Sequence, residues 1–321
     1  MPTALVTNPA SGRNRRDPHL RRRLLTALGP DALDLVPEGP EGWPAVAARL
    51  LEAGVQRAAV SGGDGTLHCL ISALGQQAPP ERWPALALMR AGTMNTLAAN
   101  LHLRGRPEHL AAAVATAVET PLPCLRVGER WGFLFGVGVP VSFLRAYYAG
   151  RTGPLGAAWL LARVVAGLPL RTRLTRDLLE RTGAAVSVDG QPWRSGSWVG
   201  LGAATVPNLG LGFEPCAHTP RPGKLEAYGF GGAPWTAAAN LPRMRLGRAL
   251  RGDRVEQALG AELVIEGDEP LAWMMDGDLY GGERVLRVAV DGPVRFLRPA
   301  DARALPAPRD LGLSLPPPPP V

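Results

Sequence analysis

At 321 residues, with 46% hydrophobic residues and a mean hydropathy of zero, the chain is too long for one average domain and suits two globular ones. Arginine carries nearly all of its positive charge, since Lys224 is the only lysine, and that excludes both a Walker A loop and the strand lysine of protein kinases. The net charge of +7 fits coding bias or attraction to phosphates and anionic membrane; without a clustered basic stripe and interleaved aromatics, nucleic acid is not an expected partner.

In chain order, Thr3 to Thr7 reads as a strand ending at Asn8-Pro9. Leu20, Leu24, Leu25 and Leu28 fall at helical spacing, with Gly29 as the stop. Leu33 to Val36 is a second strand. Trp43, Val46, Ala47, Leu50 and Leu51 mark a helix that Gly54 ends. Ala58 to Val60 is a third strand, Leu67 to Leu74 a helix and Ala85 to Met89 a fourth strand; Thr93 to Leu101 and Glu108 to Val118 read as helices. Alternation of this kind predicts an α/β domain built on an open, mostly parallel sheet.

After about Pro121 the texture changes. Short apolar runs at Gly132 to Val139, Ala184 to Val188, Ser197 to Leu201, Glu262 to Ile265 and Arg287 to Val290 are separated by Gly, Pro and Asp, which predicts an antiparallel β-rich domain. One helical stretch, Leu155 to Leu168, interrupts it. Its apolar face, bordered by Arg151, Arg163, Arg171 and Arg173, suits either a core helix or one resting on lipid. Pro316 to Pro320 is a polyproline tail, expected to be disordered over 313–321. Cys69, Cys124 and Cys216 have no metal-ligand spacing and read as buried thiols of a reducing cytoplasm; no secretory leader is recognised.

Three turns stand at the carboxyl ends of predicted strands, where open α/β sheets place ligands. They are Asn8-Pro9-Ala10-Ser11-Gly12, Ser61-Gly62-Gly63-Asp64-Gly65-Thr66 and Gly92-Thr93-Met94-Asn95. Paired glycines let the backbone approach phosphate oxygens, and a helix N-terminus adds amides and a positive dipole end. Thr66 adds a hydroxyl. Asp64 would repel phosphate unless it holds Mg²⁺.

The ordered set Asn8-Pro9-x-Ser11-Gly12, Gly62-Gly63-Asp64-Gly65-Thr66 and Gly92-Thr93-x-Asn95-x-Leu97-Ala98 resembles the catalytic domain of the diacylglycerol kinase and sphingosine kinase superfamily. Asn208-x-Gly210-x-Gly212-Phe213-Glu214-Pro215-x-Ala217 is similar to that family's glycine-rich segment in its second domain. The resemblance implies an N-terminal nucleotide-binding α/β domain over 1–122, completed by about 299–312. It also implies a C-terminal antiparallel β-rich sandwich over 123–298 that receives a lipid, with the nucleotide cleft between them. It makes Asn8, Ser11, Gly62, Gly63, Asp64, Gly65, Thr66, Thr93 and Asn95 the shell for ATP and Mg²⁺. Asp276-Gly277-Asp278 occupies the place of the family's late Asp-Gly-Glu turn; there Asp278 would accept the acceptor's proton and Asp276 would support the site. The implied protein is a cytoplasmic lipid kinase visiting the inner membrane face, with a membrane lipid hydroxyl as acceptor.

The sequence departs from the family in four places. Asp278 is one methylene shorter than glutamate. Arg221-Pro222-Gly223-Lys224-Leu225 replaces the Asp-Asp-Gly of a structural Mg²⁺ site, which is therefore expected to be absent. Gly138-Val139-Pro140 stands for the usual Gly-x-Asp, and Thr96 follows Asn95 where an aspartate is usual. These departures leave open a non-catalytic nucleotide- or lipid-binding regulator, or a kinase of a soluble acceptor such as NAD. His68, just past the second turn, is expected either at the nucleotide or on a helix surface.

Overall fold

The computed structural model describes residues 2–150, 153–170, 172–305 and 307–309. Arg151, Arg171 and the Pro-rich tail at 313–321 lie outside the described residues. The chain divides into two compact units. The first comprises Met1–Cys124, Glu129–Gly132 and Asp291–Pro306; the second comprises Leu125–Gly128, Phe133–Val290 and Ala307–Val321.

The first unit runs β1 (Thr3–Thr7), α1 (Gly12–Arg16), α2 (Leu20–Leu28), β2 (Leu33–Leu35), α3 (Trp43–Glu52), β3 (Arg57–Ser61), α4 (Asp64–Gly75), β4 (Ala85–Leu88), α5 (Thr96–Asn100), α6 (Pro107–Ala112), β5 (Val118–Val127) and β6 (Arg130–Gly132). Strands β4, β3, β1 and β2 lie side by side in that order, all parallel. The interior strands are almost wholly buried, as a parallel sheet covered on both faces requires of TALVT, RAAVS and ALAL. Leu20 and Leu24 of α2 pack with Leu5, Ala59, Ala85 and Leu110 in one core; each fully buried leucine contributes about 1.5–3 kcal/mol. Register fixes where the strands end: Thr7 lies beside Ser61, and Val60 beside Leu88. All three turns therefore leave the carboxyl ends of neighbouring parallel strands, at the same end of the sheet.

Two helices are shorter than their periodicity predicts. The helix expected from Thr93 starts at Thr96, because Asn95 is left-handed (φ 53°, ψ 46°) and closes its own turn. The helix expected over Glu108 to Val118 ends at Ala112, passes through a 3-10 turn at Ala113–Thr116, and gives way to β5.

The second unit continues with β7 (Leu134–Gly138), α7 (Val139–Tyr148), α8 (Pro154–Gly167), α9 (Arg173–Leu178), β8 (Thr182–Val188), β9 (Gln191–Pro192), β10 (Ser197–Trp198), β11 (Gly200–Ala204), β12 (Leu225–Phe230), α10 (Pro234–Ala239), α11 (Leu241–Arg245), β13 (Val255–Gly260), β14 (Glu262–Met275) and β15 (Asp278–Arg298). Strands β13, β12, β11, β7 and β14 form an antiparallel ladder, and β14 also pairs with β15 and, along its first half, with β8. Alternate residues of these strands (Phe135, Val137, Leu263, Ile265, Trp273 and Met275 among them) fill the core. The far end of β15 belongs to the first unit, where Phe296 pairs in parallel with Leu86.

Candidate functional site

The three turns are joined mainly through backbone and buried amide groups. After β1, Asn8 N donates to Ser61 O at 3.0 Å, and Asn8 Nδ2 donates to Thr66 Oγ1 at 2.9 Å. Ala91 N donates to Gly62 O at 3.0 Å, and Arg13 N to Ala91 O at 2.9 Å. The second and third turns touch at their glycines. A Cβ on Gly63 would lie 2.8 Å from Gly92 Cα, and one on Gly92 would lie 2.2 Å from Gly63 Cα. Only residues without a Cβ allow that approach. Asn95 closes its own turn, accepting from Gly92 N at 3.0 Å and donating to Gly92 O at 2.9 Å.

Asp64 sits in the first turn of α4, and its carboxylate spans two turns. Oδ2 accepts from Thr96 N at 2.9 Å and Oδ1 from Leu97 N at 3.0 Å, so Asp64 caps the first turn of α5. Burial holds its pKa above the usual carboxylate value, against the same amide bonds, which lower it. This engagement gives it a structural task beside the Mg²⁺-holding role expected of it. Thr66 likewise spends its hydroxyl as the acceptor for Asn8. Ser11 Oγ, in contrast, is buried with no hydrogen-bond partner. Thr93 is exposed, and its Oγ1 lies where a Cβ on Gly12 would approach to 3.1 Å.

Two residues outside the predicted shell lie among the same turns. Asn14 in α1 is buried; its Nδ2 donates to both Asn8 O and Ser61 O at 2.8 Å, and its Oδ1 accepts from Ser61 Oγ at 2.9 Å. Arg90, just beyond β4 with φ 50°, lines a crevice with Gly62, Gly63, Asp64 and Asn95, and its Nε is buried without a hydrogen-bond partner. With Lys224 as the only lysine, a phosphate cation from the chain falls to arginine, but nothing in the local motif singles out this one. His68 is at neither expected place. It is buried in α4, and Nδ1 bonds the Trp131 carbonyl at 2.8 Å, so Nδ1 carries a proton. Burial lowers its pKa to about 4.

The remaining predicted residues lie in the second unit. Asp276 and Gly277, with φ 49° and 100°, form the two-residue turn of a β-hairpin in which Met275 pairs with Asp278. The Asp276 carboxylate accepts from Phe133 N (3.0 and 3.1 Å) and Leu134 N (2.9 Å), tying the hairpin tip to the start of β7. Asp278, half-buried, opens β15. The Asn208 to Ala217 segment is a closed loop: Asn208 Oδ1 accepts from Gly210 N at 2.7 Å, and Leu209 N donates to Phe213 O at 2.9 Å. Lys224 bonds Asp189 Oδ2 at 3.4 Å, near the segment expected to lack the family's structural metal.

The first-unit turns fit an anionic phosphate chain. They combine a glycine cradle, an α4 N-terminus whose N-cap Gly63 makes no side-chain cap, an orphaned hydroxyl and an orphaned guanidinium nitrogen. Each Asp64 oxygen accepts one amide and keeps a second acceptor site, enough for a Mg²⁺ carried in by nucleotide phosphates, while among the described residues no group of three His, Cys, Asp or Glu side chains forms a metal cage of its own.

Residues 2–127 match the family model described as the diacylglycerol kinase catalytic domain. No curated protein matches. Among solved structures, a candidate diacylglycerol kinase from Bacillus anthracis str. Sterne superimposes with a TM-score of 0.72 at 17% identity, covering 93% of this chain and 98% of that one. A second structure, of a diacylglycerol kinase from the same organism, gives 0.66 at 16% identity, covering 94% of this chain and 98% of that one. Over residues 2–127 the chain thus matches the diacylglycerol kinase catalytic-domain superfamily, and over nearly its whole length it shares the fold of these structural neighbours.

Proposed function

We propose that this chain is an ATP-dependent phosphotransferase whose acceptor is the hydroxyl of a diacylglycerol-like membrane lipid. One observation carries the reading: three turns leave the carboxyl ends of neighbouring strands and form a glycine-lined cradle beside buried, unpartnered Ser11 Oγ and Arg90 Nε. On this reading the α4 N-terminus and Gly62 to Thr66 seat phosphate oxygens, and Ser11 and Arg90 bond them directly. Asn8, Asn14, Asp64 and Asn95 hold the turns in place. A divalent cation, when it arrives with the nucleotide, neutralises phosphate charge.

Phosphoryl transfer needs in-line positioning, charge neutralisation and somewhere for the acceptor proton to go. Asp278 is the proposed base. The lipid oxygen bonds the γ-phosphorus, the β–γ bridging bond breaks to release ADP, and the hydroxyl proton passes to the Asp278 carboxylate. Asp276 holds the hairpin that presents it. ATP as donor puts the protein in the cytoplasm, at the inner membrane face when it meets its acceptor.

The test is a radiolabelled γ-phosphate transfer screen on total lipid extract, followed by identification of the labelled species. A labelled lipid that disappears with Asp278→Asn supports the reading. ATP binding with no product across diacylglycerol, sphingoid base, phosphatidylglycerol and NAD would instead identify a binding regulator. Label on NAD alone would identify a soluble acceptor.

A further inference from the structure

Helix α8 is apolar on both faces. Ala157, Leu160 and Val164 are buried in a cluster with Tyr147 of α7 and Leu178 of α9. A helix that packs by one face normally turns charged and polar residues outward. This one does not: Leu155 is 88% exposed, Trp159 56% and Val165 38%. Leu170, beyond its end, is 79% exposed. Arg163 is the only charged residue on the helix, and its guanidinium lies 4.6 Å from the Trp159 ring centroid. That contact leaves the indole face and the cation pointing to the same side.

The surrounding charge is mainly positive, with Asp177 of α9 the one acid on the flanking helices α7 and α9. Val139 to Arg176 holds six arginines and no acidic residue. Of those on the flanking helices, Arg145 and Arg176 are exposed, while Arg173 reaches Asp177 at 3.7 Å. A second copy of this face would bring like charge against like charge, which disfavours self-association there. The 14 residues of α8 span about 21 Å, short of the roughly 30 Å hydrocarbon layer. No helix among the described residues is long and apolar enough to cross a membrane.

We propose that α8 is a docking face for an anionic bilayer and lies in the plane of the interface. Leu155, Trp159 and Val165 enter the acyl boundary, while Arg145, Arg163 and Arg176 meet headgroup phosphates. A tryptophan beside an arginine suits that boundary, since the ring buries its apolar body and keeps its N–H near water. The proposal deepens the lipid-kinase reading by naming how the acceptor's membrane is met, and it is tested without turnover.

The experiment is co-sedimentation of the full chain with phosphatidylcholine vesicles, with and without phosphatidylglycerol. The wild type is expected to partition roughly tenfold more strongly onto phosphatidylglycerol-containing vesicles, with the difference lost in high salt. The double variant Leu155→Gln/Trp159→Gln and the single variant Arg163→Glu are each expected to lose roughly tenfold in partitioning. Both variants alter exposed positions, and unchanged far-ultraviolet circular dichroism checks their fold. Equal binding to both vesicle types, wild-type binding by both variants, or a dimer that the double variant dissociates would each overturn the proposal. Transfer to a short-chain, water-soluble diacylglycerol is read in parallel. Its loss in the wild type would sink the kinase reading and leave the docking result standing.

Discussion

Gly63 and Gly92 meet backbone to backbone, closely enough that a methyl on Gly92 would sit 2.2 Å from the Gly63 α-carbon. The obstacle is main chain, which cannot swing aside as a side chain would. Gly92→Ala must therefore separate the second turn from the third. We expect a loss of about 1–3 kcal/mol in denaturant unfolding, typical of overpacking, together with loss of ATP-analogue binding by calorimetry. Unchanged affinity would show that the cradle does not need this contact.

Asn14 bonds two carbonyls and a hydroxyl from inside α1. Asn14→Leu keeps the heavy-atom outline but loses all three bonds. Asn8 O and Ser61 O keep Ser11 N and Asn8 N, while Ser61 Oγ is left without this acceptor, at about 1–3 kcal/mol given the usual cost of a buried unsatisfied group. Thermal unfolding should register that cost. Asn14→Asp should behave similarly, because it turns an acceptor toward the carbonyls of Asn8 and Ser61.

The two late aspartates should separate in kind. Asp276→Asn replaces an acceptor of two backbone amides, so its main expected effect is about 1–3 kcal/mol of lost stability. Asp278→Asn should leave stability within about 0.5 kcal/mol and lower kcat by 10²-fold or more, in the usual range for removing a general base. Unfolding curves and initial rates on the same preparations would show whether the roles are reversed.

His68 supplies a pH signature. Its folded pKa is about 4, below the ordinary 6.5, because burial disfavours the imidazolium. As pH falls through that interval, the unfolded chain takes up a proton that the folded chain refuses. Stability from this residue is thus full above pH 6.5, declines toward pH 4 and is flat below. The decline amounts to about 3 kcal/mol, on the conversion of 1.36 kcal/mol per unit. His68→Gln keeps a donor for the Trp131 carbonyl and should remove that slope. Urea unfolding of both proteins between pH 4 and 7 measures the difference.

The four parallel strands of the first unit were readable because parallel, doubly covered strands are plain apolar runs, as in Ala85–Leu88, whereas β5 and β6 were not. The three turns were readable because glycine clusters at strand ends have few other uses. What Asp64 and Asp276 do was not. Their partners are backbone amides 32 and 143 residues away in sequence, and amides leave no mark on residue type. Strand β12 was hidden for a related reason. Glu226 sits fully buried within it, and the strand tolerates that carboxylate because His218 and Gln257 bond it. A pattern of hydrophobic residues cannot anticipate a charge compensated from elsewhere in the chain. Asn95 delays a helix start by taking a left-handed conformation that its periodicity does not reveal.

Asn8 holds Thr66, Asn14 holds Asn8 and Ser61, Asp64 holds the start of α5, and Asn95 holds Gly92. The polar side chains of the turns are largely occupied with one another, and much of what remains to meet a ligand is main chain. Such a surface has few groups to truncate and few to titrate. Its vulnerability runs the other way from that of a side-chain site: it should be disarmed by additions, a methyl where two backbones touch or a mispaired amide behind them.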